Sequence, residues 1–340
     1  MKEQLKEVDY FFGVNSAEEI AQLIVLHKQK ENTKKYKRHL LTPKHYAYIK
    51  ISEGCNHKCS FCAIPIIRGR HISIPIEDIV KEVDDLYKQG VKEFNIIGQD
   101  TTYYGYDLYG KRNISELLSK IAESAKGAWI RLLYTFPTNF PEDLIYIISR
   151  YENICKYIDI PLQHASDKIL KSMNRGITKK QILILLDKIR KIIPNVAIRS
   201  TFIVGFPGET EKDFNELRNF IIEQQLDRVG VFTYSHEENT DAYSLNDNIP
   251  EELKNERKAI ILKTQKEISF KKNLSKIGSV LKVLIDEKFE NQFFGRTQYD
   301  APDIDNKVII PYNKMVQDGQ FINVKINSAT YYDLFGELSI

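Results

Sequence analysis

The chain has 340 residues, of which 42% are apolar and 28% are charged, and its formal net charge is +3. This composition is typical of a soluble globular protein with a sizeable core and room for two domains. No run is apolar and uncharged enough to cross a membrane, and the start, Met1–Gln4, lacks the apolar segment of a signal peptide. Three of the four cysteines lie close together, which excludes a disulfide framework and indicates a reduced, cytoplasmic protein.

The first 44 residues predict a short helix followed by a basic linker. Asn15 and Ser16 can cap the helix, and apolar residues recur at helical spacing up to residue 27. Residues 28–44 carry seven basic side chains and a single acidic one, Glu31. A basic stretch without periodicity predicts a solvated linker, and contact with ribosomal RNA or with a nucleotide phosphate is the alternative.

A group of three cysteines follows the first predicted strand. Cys55, Cys59 and Cys62 have the spacing C-x3-C-x2-C, and no further cysteine continues it. Three thiolates can bind three irons of a four-iron cluster and leave the fourth iron open, which marks a reactive site rather than a structural one. A zinc site completed by His57 or the distant Cys155 is the alternative, although zinc motifs usually contain two such pairs.

From Tyr46 onward, short apolar runs alternate with amphipathic helices. Such alternation predicts a parallel sheet with right-handed crossovers. About six strand–helix units are present, fewer than a complete eight-fold barrel requires. The predicted strands are Tyr46–Ile51, Phe94–Gly98, Trp129–Tyr134, Tyr157–Ile160, Ala197–Val204 and Val229–Tyr234, and the predicted helices lie near 77–89, 114–125, 141–151, 167–173, 178–192 and 210–225.

Polar residues at the carboxyl ends of these strands are the candidate site, because parallel barrels place their chemistry there. Gly98, Gln99 and Asp100 end the second strand, and Gln163 follows the fourth. Arg199 lies in an apolar run of the fifth strand, so its charge needs either a cofactor carboxylate or an internal carboxylate as partner.

Three further polar residues are candidates for the same site. His164 and His236 follow strands four and six and are candidates for lining a pocket. Arg175 either faces the same pocket or complements the carboxyl end of the preceding helix.

Beyond a long charged helix at Glu251–Asn273, the pattern changes to alternating strands at Val280–Ile285, Lys307–Ile310 and Phe321–Ile326. From residue 275 to the end, seven basic side chains stand against nine acidic ones. An RNA-binding surface ordinarily has a basic surplus, so this charge favours a basic protein partner.

Several of these motifs resemble the radical S-adenosylmethionine (SAM) superfamily and, within it, the methylthiotransferases. The resemblance covers about Val8 to the C-terminus and is closest to the RimO type, which modifies an aspartate of a ribosomal protein. The matching stretches are the cysteine motif with Phe61 before its last cysteine, Cys62–Pro65, Arg68–Arg70, Gly98–Gly105, Asp107–Tyr109 and Arg296–Asp305.

The resemblance implies an α/β fold in which a partial (β/α)6 radical SAM barrel precedes a small all-β TRAM barrel. It divides the chain into 1–44, a remnant of the N-terminal methylthiotransferase domain with a basic linker, 45–274, the radical SAM domain, and 275–340, the TRAM domain. The family holds a second cluster in the N-terminal domain, most of which has no counterpart here. One 4Fe–4S cluster and incomplete sulfur transfer are therefore expected of this chain.

The resemblance also implies the site residues. Cys55, Cys59 and Cys62 would hold the 4Fe–4S cluster, and no catalytic side chain is assigned. The residues expected to bind SAM are Phe61, Gly98, Gln99, Asp100, Gln163, Arg175, Arg199, Gly205 and Glu209.

The implied reaction adds a methylthio group to the β-carbon of an aspartate in small-subunit ribosomal protein number twelve, after reductive cleavage of SAM to a 5′-deoxyadenosyl radical. That protein would bind through the TRAM domain and the barrel mouth, and a cytoplasmic monomer without membrane contact is expected. The alternatives are a tRNA adenosine methylthiotransferase and a zinc-stabilised scaffold without activity.

Overall fold

A computed structural model of the chain describes residues 5–14, 16–25 and 38–339. The predicted cap residue Asn15, the last two residues of the predicted helix (26–27) and residues 28–37 of the predicted basic linker lie outside the described residues. Along the described ranges, none of the helices has both the length and the apolar character that a membrane crossing requires.

Helices and strands alternate through the first two thirds of the chain, as predicted, and strands dominate the last quarter. The helices are α1 (Ala17–Val25), α2 (Ile64–Arg68), α3 (Ile76–Lys88), α4 (Tyr106–Tyr109), α5 (Ile114–Ser124), α6 (Glu142–Arg150), α7 (Asp167–Ser172), α8 (Lys179–Ile192), α9 (Glu211–Gln224) and α10 (Glu251–Leu274). The strands are β1 (Tyr46–Lys50), β2 (Ser52–Glu53), β3 (Ile72–Ser73), β4 (Glu93–Ile97), β5 (Trp129–Leu132), β6 (Tyr157–Asp159), β7 (Ala197–Val204), β8 (Arg228–Thr233), β9 (Val280–Phe289), β10 (Gln292–Thr297), β11 (Val308–Pro311), β12 (Phe321–Ala329) and β13 (Leu334–Leu338).

Six parallel strands form an open barrel. β1, β4 and β5 pair in that order, and β6, β7 and β8 pair in that order, all in parallel. A parallel bridge between Ile130 and Ile154 joins the two groups. The predicted partial (β/α)6 architecture is therefore confirmed.

The helices cover the outer face of the open barrel with apolar stripes. In α3, for example, Ile76, Ile79, Val83 and Leu86 are buried, and their spacing places them on one side of the helix. Together with the outward side chains of the strands they form the largest apolar core. The core thus fixes the strand positions, and the strand ends remain available for a site.

The C-terminal strands close into a small barrel in the order β10-β11-β13-β12-β9. Two of these strands, β10 and β13, were absent from the strands predicted by sequence pattern. Each contains a glycine, which weakens a strand pattern. A Cβ on Gly295 would lie 2.6 Å from the Leu284 carbonyl oxygen, and one on Gly336 would lie 2.4 Å from that of Lys325. These glycines therefore permit the close strand packing that closes the barrel.

The small barrel packs against the amino ends of the open-barrel strands. Trp129, the first residue of β5, packs edge-on against Phe321 with ring centroids 4.8 Å apart. Glu93, the first residue of β4, is fully buried and forms ion pairs with Arg131 at 2.9 Å and with Arg296 of the small barrel at 2.7 Å. The carboxyl ends of the strands, where the cysteines lie, are at the opposite end.

A loop of the small barrel, residues 299–306, reaches along the open side of the open barrel. Tyr46 on β1 donates a hydrogen bond to Asp303 at 3.3 Å, and Tyr157 on β6 donates one to Asp305 at 2.7 Å. Arg228 on β8 pairs with Asp300. The loop therefore connects the first and last strands of the open barrel, which do not pair with each other.

Candidate functional site

A cavity of about 460 Å³ opens at the carboxyl ends of the open-barrel strands. All three clustered cysteines line it. Of the nine residues predicted to bind SAM, five line it as well: Phe61, Gln99, Gln163, Arg175 and Arg199. The other four, Gly98, Asp100, Gly205 and Glu209, are not part of its wall.

The loop that carries the cysteines is held at two points by backbone hydrogen bonds. Cys55 N–H donates to the Gly69 carbonyl at 3.1 Å, and Ser60 N–H donates to the Met173 carbonyl at 3.0 Å. Gly54 has φ +76°, and a Cβ there would lie 2.1 Å from the Arg70 carbonyl oxygen. Only glycine allows this approach, so the sequence Gly54-Cys55 sets the start of the loop.

The three clustered thiols are half-buried. Burial raises the pKa of Cys55 to about 11 and also raises the pKa of Cys62. Iron binds thiolates, so loading the site would release the thiol protons.

The zinc alternative lacks a fourth ligand. Among the residues that the structure describes, no three His, Cys, Asp or Glu side chains converge on one metal ion. His57 Nε2 donates to Asp100 at 2.6 Å instead. Cys155 is buried beside Trp129 and Leu284, at the amino ends of the strands. In a four-iron cluster each cysteine binds a different iron, so ligands need not converge on one point, and the three cysteines fit such a cluster better than a zinc ion.

Asp100 acts through His57 rather than on the cavity. It is buried, and besides accepting from His57 it accepts hydrogen bonds from the Thr102 N–H at 2.8 Å and the Thr102 hydroxyl at 2.5 Å. The His57 ring stacks on Phe136, with centroids 3.6 Å apart and an interplanar angle of 9°. Asp100 therefore orients a ring that lines the cavity.

Arg175 connects the cysteine loop to the end of strand β6. Its Nη1 donates to the Cys59 sulfur at 3.2 Å, and its Nη2 donates to the Pro161 carbonyl at 2.6 Å. The guanidinium carbon lies 4.2 Å from the centroid of the Phe136 ring. Of the two interpretations of Arg175, the structure supports the one in which it faces the pocket.

The two predicted glutamines occupy different parts of the wall. Gln163 has φ +73°, an uncommon backbone conformation for a residue with a side chain. Gln99 Nε2 donates to Glu53 at 3.2 Å. Behind Gln99, Gly98 packs on Ser52, and a Cβ at Gly98 would lie 2.7 Å from the Ser52 hydroxyl oxygen.

Arg199 is paired with internal carboxylates. Its Nη1 lies 2.9 Å from Asp159 Oδ1, and its Nε lies 3.6 Å from Asp305 in the 299–306 loop. The internal carboxylate, one of the two partners that the sequence left open, is the one observed. Arg199 still lines the cavity, together with Ile304 from the same loop.

Gly205 and Glu209 form a buried support beneath the end of β7. Glu209 Oε2 accepts from the Gly205 N–H at 2.9 Å, and its Oε1 lies 2.8 Å from Arg257 of α10. His164 is fully buried next to Glu209, with 3.4 Å between Nε2 and the carboxylate. Neither His164 nor His236 lines the cavity, so their prediction as pocket residues is wrong.

Several residues that line the cavity were not predicted from the sequence. Tyr134, Thr135 and Phe136 follow β5, and the rule of carboxyl strand ends would have found them. Ile304 belongs to another domain and is distant in the sequence, so nothing in the local pattern pointed to it.

Two family models match the chain. The radical SAM superfamily model matches residues 49–221, which carry the open barrel and the cysteines. The TRAM domain model matches residues 277–338, which form the small barrel.

Curated relatives match over nearly the whole chain. A protein of Cytophaga hutchinsonii and one of Flavobacterium johnsoniae are each 48% identical to it, over 99% of this chain and 77% of the relative. A protein of Chloroherpeton thalassium is 45% identical over 99% of this chain and 78% of the relative. All three are named ribosomal protein uS12 methylthiotransferase RimO. The chain therefore belongs to the radical SAM methylthiotransferases of the RimO type.

Proposed function

We propose that this protein adds a methylthio group to the β-carbon of an aspartate in ribosomal protein uS12. The observation that carries the proposal is the cavity at the carboxyl ends of the six strands, lined by three cysteines and five of the predicted SAM-binding residues. The names of the relatives supply the substrate. No comparison favours the tRNA alternative.

Cys55, Cys59 and Cys62 would hold a 4Fe–4S cluster. When bound, such a cluster supplies an open iron for the amino and carboxylate groups of SAM and the electron that cleaves it. The chain itself would bind and orient SAM and keep water out of the cavity. Half-buried Phe61 and Phe136 give the cavity apolar walls, and Gln99 and Gln163 offer amide groups beside them.

The remaining predicted SAM residues would act indirectly. Gly98 lets strand β4 end close to Ser52, and Asp100 orients His57. Glu209 holds the Gly205 backbone against α10. We therefore assign Gly98, Asp100, Gly205 and Glu209 to positioning the cavity wall, with SAM contacts confined to the residues that line it.

We also propose a division of labour between domains. Residues 45–274 would carry the cluster and SAM, and residues 275–340 would bind the substrate protein, because their acidic surplus complements a basic ribosomal protein. Within the small barrel, Ile304 lines the cavity, so the 299–306 loop would guide the substrate. A ribosomal substrate implies a cytoplasmic location.

The test is anaerobic reconstitution with iron and sulfide, followed by iron analysis and a dithionite-driven assay for 5′-deoxyadenosine. We expect about four irons per chain and SAM cleavage, because three cysteines suffice for one cluster. Cys59→Ala should lose both, whereas Cys155→Ala, a matched cysteine at the opposite end of the strands, should keep them. Tight zinc with no retained iron would contradict the proposal.

The substrate is tested separately by incubating the reconstituted protein and SAM with purified uS12 or with total tRNA. When the uS12 aspartates carry deuterium at the β-carbon, mass spectrometry should detect deuterium in the 5′-deoxyadenosine, a readout that does not depend on complete sulfur transfer. A modified adenosine, with tRNA binding that weakens steeply as salt rises, would instead support the tRNA alternative.

A further inference from the structure

Arg175 is a buried cation without a carboxylate partner. The residue is 4% exposed, and its Nε has no hydrogen-bond partner. Within the described part of the chain, no carboxylate lies within ion-pair distance of its guanidinium. Its two recorded partners are the Cys59 sulfur and the Pro161 carbonyl.

This arrangement is unusual for the buried arginines of this protein. Four other arginines are also buried, and each of them forms an ion pair with Asp or Glu: Arg131, Arg228, Arg257 and Arg296. A buried charge without a counter-ion is costly, because burial removes its hydration and nothing replaces it. A group of opposite charge must therefore face Arg175 when the site is complete.

Phe136 holds the guanidinium in place. The ring has His57 stacked on it at 3.6 Å, and the Arg175 guanidinium carbon lies 4.2 Å from its centroid. Asp100 fixes His57, and the Pro161 carbonyl fixes the far side of Arg175. The donor that points to Cys59 is thus fixed by residues that follow strands β4, β5 and β6, together with His57 of the cysteine loop.

We propose that Arg175 is the counter-ion of the iron–sulfur cluster and that the His57–Phe136–Arg175 stack positions it to set the cluster's reduction potential. The inference rests on the proposed function, because it presumes that Cys59 binds iron. A cluster gains one negative charge on reduction, and a nearby positive charge with an N–H···S hydrogen bond stabilises that state. Because Arg175 is buried, solvent screens its charge weakly.

The competing role for Arg175 is binding the carboxylate of SAM. The two roles differ in one observable, the potential of the cluster measured without SAM. A residue that acts only on SAM leaves that potential unchanged, whereas a counter-ion of the cluster changes it whether or not SAM is present.

The experiment is a redox titration of the reconstituted protein without SAM, monitored by electron paramagnetic resonance. We expect Arg175→Gln to disfavour the reduced cluster by about tenfold, which corresponds to about 59 mV toward more negative potential. Arg175→Lys keeps the charge but lacks the fork that reaches both Cys59 and Pro161, so a smaller shift in the same direction is expected. Phe136→Leu should also shift the potential in this direction, because the guanidinium loses its platform.

The matched control is Arg150→Gln. Arg150 lies over the Tyr151 ring at 5.8 Å at the end of α6, away from the cysteines, so its loss should leave the potential unchanged. Equal potentials for Arg175→Gln and Arg150→Gln would overturn the inference, and weaker SAM binding at an unchanged potential would assign Arg175 to SAM instead.

The variants also separate this inference from the proposed function. If Arg175→Gln takes up no cluster, the test rests on Arg175→Lys and Phe136→Leu. A cluster with the wild-type reduction potential in both of these variants would overturn the inference. A wild-type chain that takes up no iron would overturn the proposed function and the inference with it. Loaded wild-type protein with unshifted variants would overturn the inference alone.

Discussion

Single residues determine where the cysteine loop begins and what surrounds it. The C-x3-C-x2-C spacing points to the three proposed ligands, but Gly54 decides whether the loop can leave strand β2 in the right direction. Phe136 and His57 then fix the side of the cavity next to Cys59. The chemistry of the site thus depends on residues that are not themselves ligands.

Gly54→Ala should strongly destabilise the cysteine loop. The added Cβ would meet the Arg70 carbonyl at 2.1 Å, and the residue would have to keep φ +76°. We expect a loss of more than about 3 kcal/mol in the free energy of unfolding, with lower iron uptake on reconstitution.

Gly110→Ala is the matched control for that prediction. Gly110 has φ +68° but nothing within 4 Å of the added Cβ, so the expected cost is about 1 kcal/mol with normal iron uptake. Denaturant titration and iron analysis of the two variants measure the difference. Equal losses of stability in the two variants would show that backbone strain alone, without the Arg70 contact, accounts for the need for glycine at position 54.

At the scale of elements, two helices begin with the same capping box but in different surroundings. Thr178 caps α8 with Gln181 on an exposed surface. Thr210 caps α9 with Asp213, whose carboxylate also accepts from Ser166 at 2.7 Å and pairs with Lys168. The second cap therefore links α9 to the segment between β6 and α7.

Replacing the two threonines by alanine should have unequal effects. Thr178→Ala should cost about 1 kcal/mol, the usual value for a lost cap. Thr210→Ala should cost about 2 kcal/mol, because the buried Asp213 carboxylate loses a partner as well. Thermal or denaturant unfolding measures both, and a larger loss for Thr178→Ala would contradict this account.

At the scale of the whole molecule, a buried ion network joins the open barrel to the small barrel. Glu93 lies between Arg131 and Arg296, and Arg296 also pairs with Asp286 at 2.8 Å. Burial by itself would raise the pKa of Glu93, but the two arginines outweigh it and hold that pKa below its usual value. Burial by itself would likewise raise the pKa of Asp286, but His45 and Arg296 outweigh it and lower that pKa.

These lowered pKa values make the protein sensitive to acid. A carboxylate with a depressed pKa in the folded state stabilises the fold above its unfolded pKa, near 4, and this stabilisation is lost as pH falls through the folded value. We expect the free energy of unfolding to be steady from pH 7 to about 5 and to fall below about pH 4. A stability that rises on acidification would contradict the prediction.

Glu93→Gln tests the network directly. Removing this charge leaves Arg131 and Arg296 without their shared partner, and we expect a loss of about 3–5 kcal/mol at pH 7. The acid dependence should become shallower in the variant. Glu116→Gln, at an exposed pair with Lys120, is the control and should cost less than about 1 kcal/mol. Denaturant unfolding at several pH values gives both quantities.

The sequence by itself determined the proposed ligands, the order of the elements and the end of the barrel where the candidate site lies. These features are local, because cysteine spacing and apolar periodicity are read within a few residues and parallel strands share one carboxyl edge. The strand pattern failed at β10 and β13. Gly295 and Gly336 lower the strand propensity there, but they allow the neighbouring strands to pack closely.

Only the tertiary structure decided which strand-end residues face the cavity and which group is the partner of each buried charge. Asp100 and Glu209 follow strands as Gln99 and Gln163 do, yet they turn away to His57 and Arg257. Arg199 meets carboxylates, whereas Arg175 meets a cysteine sulfur 116 residues away. Such pairings join segments that are distant in the chain, and the free energy of a buried charge depends on the partner that the fold supplies.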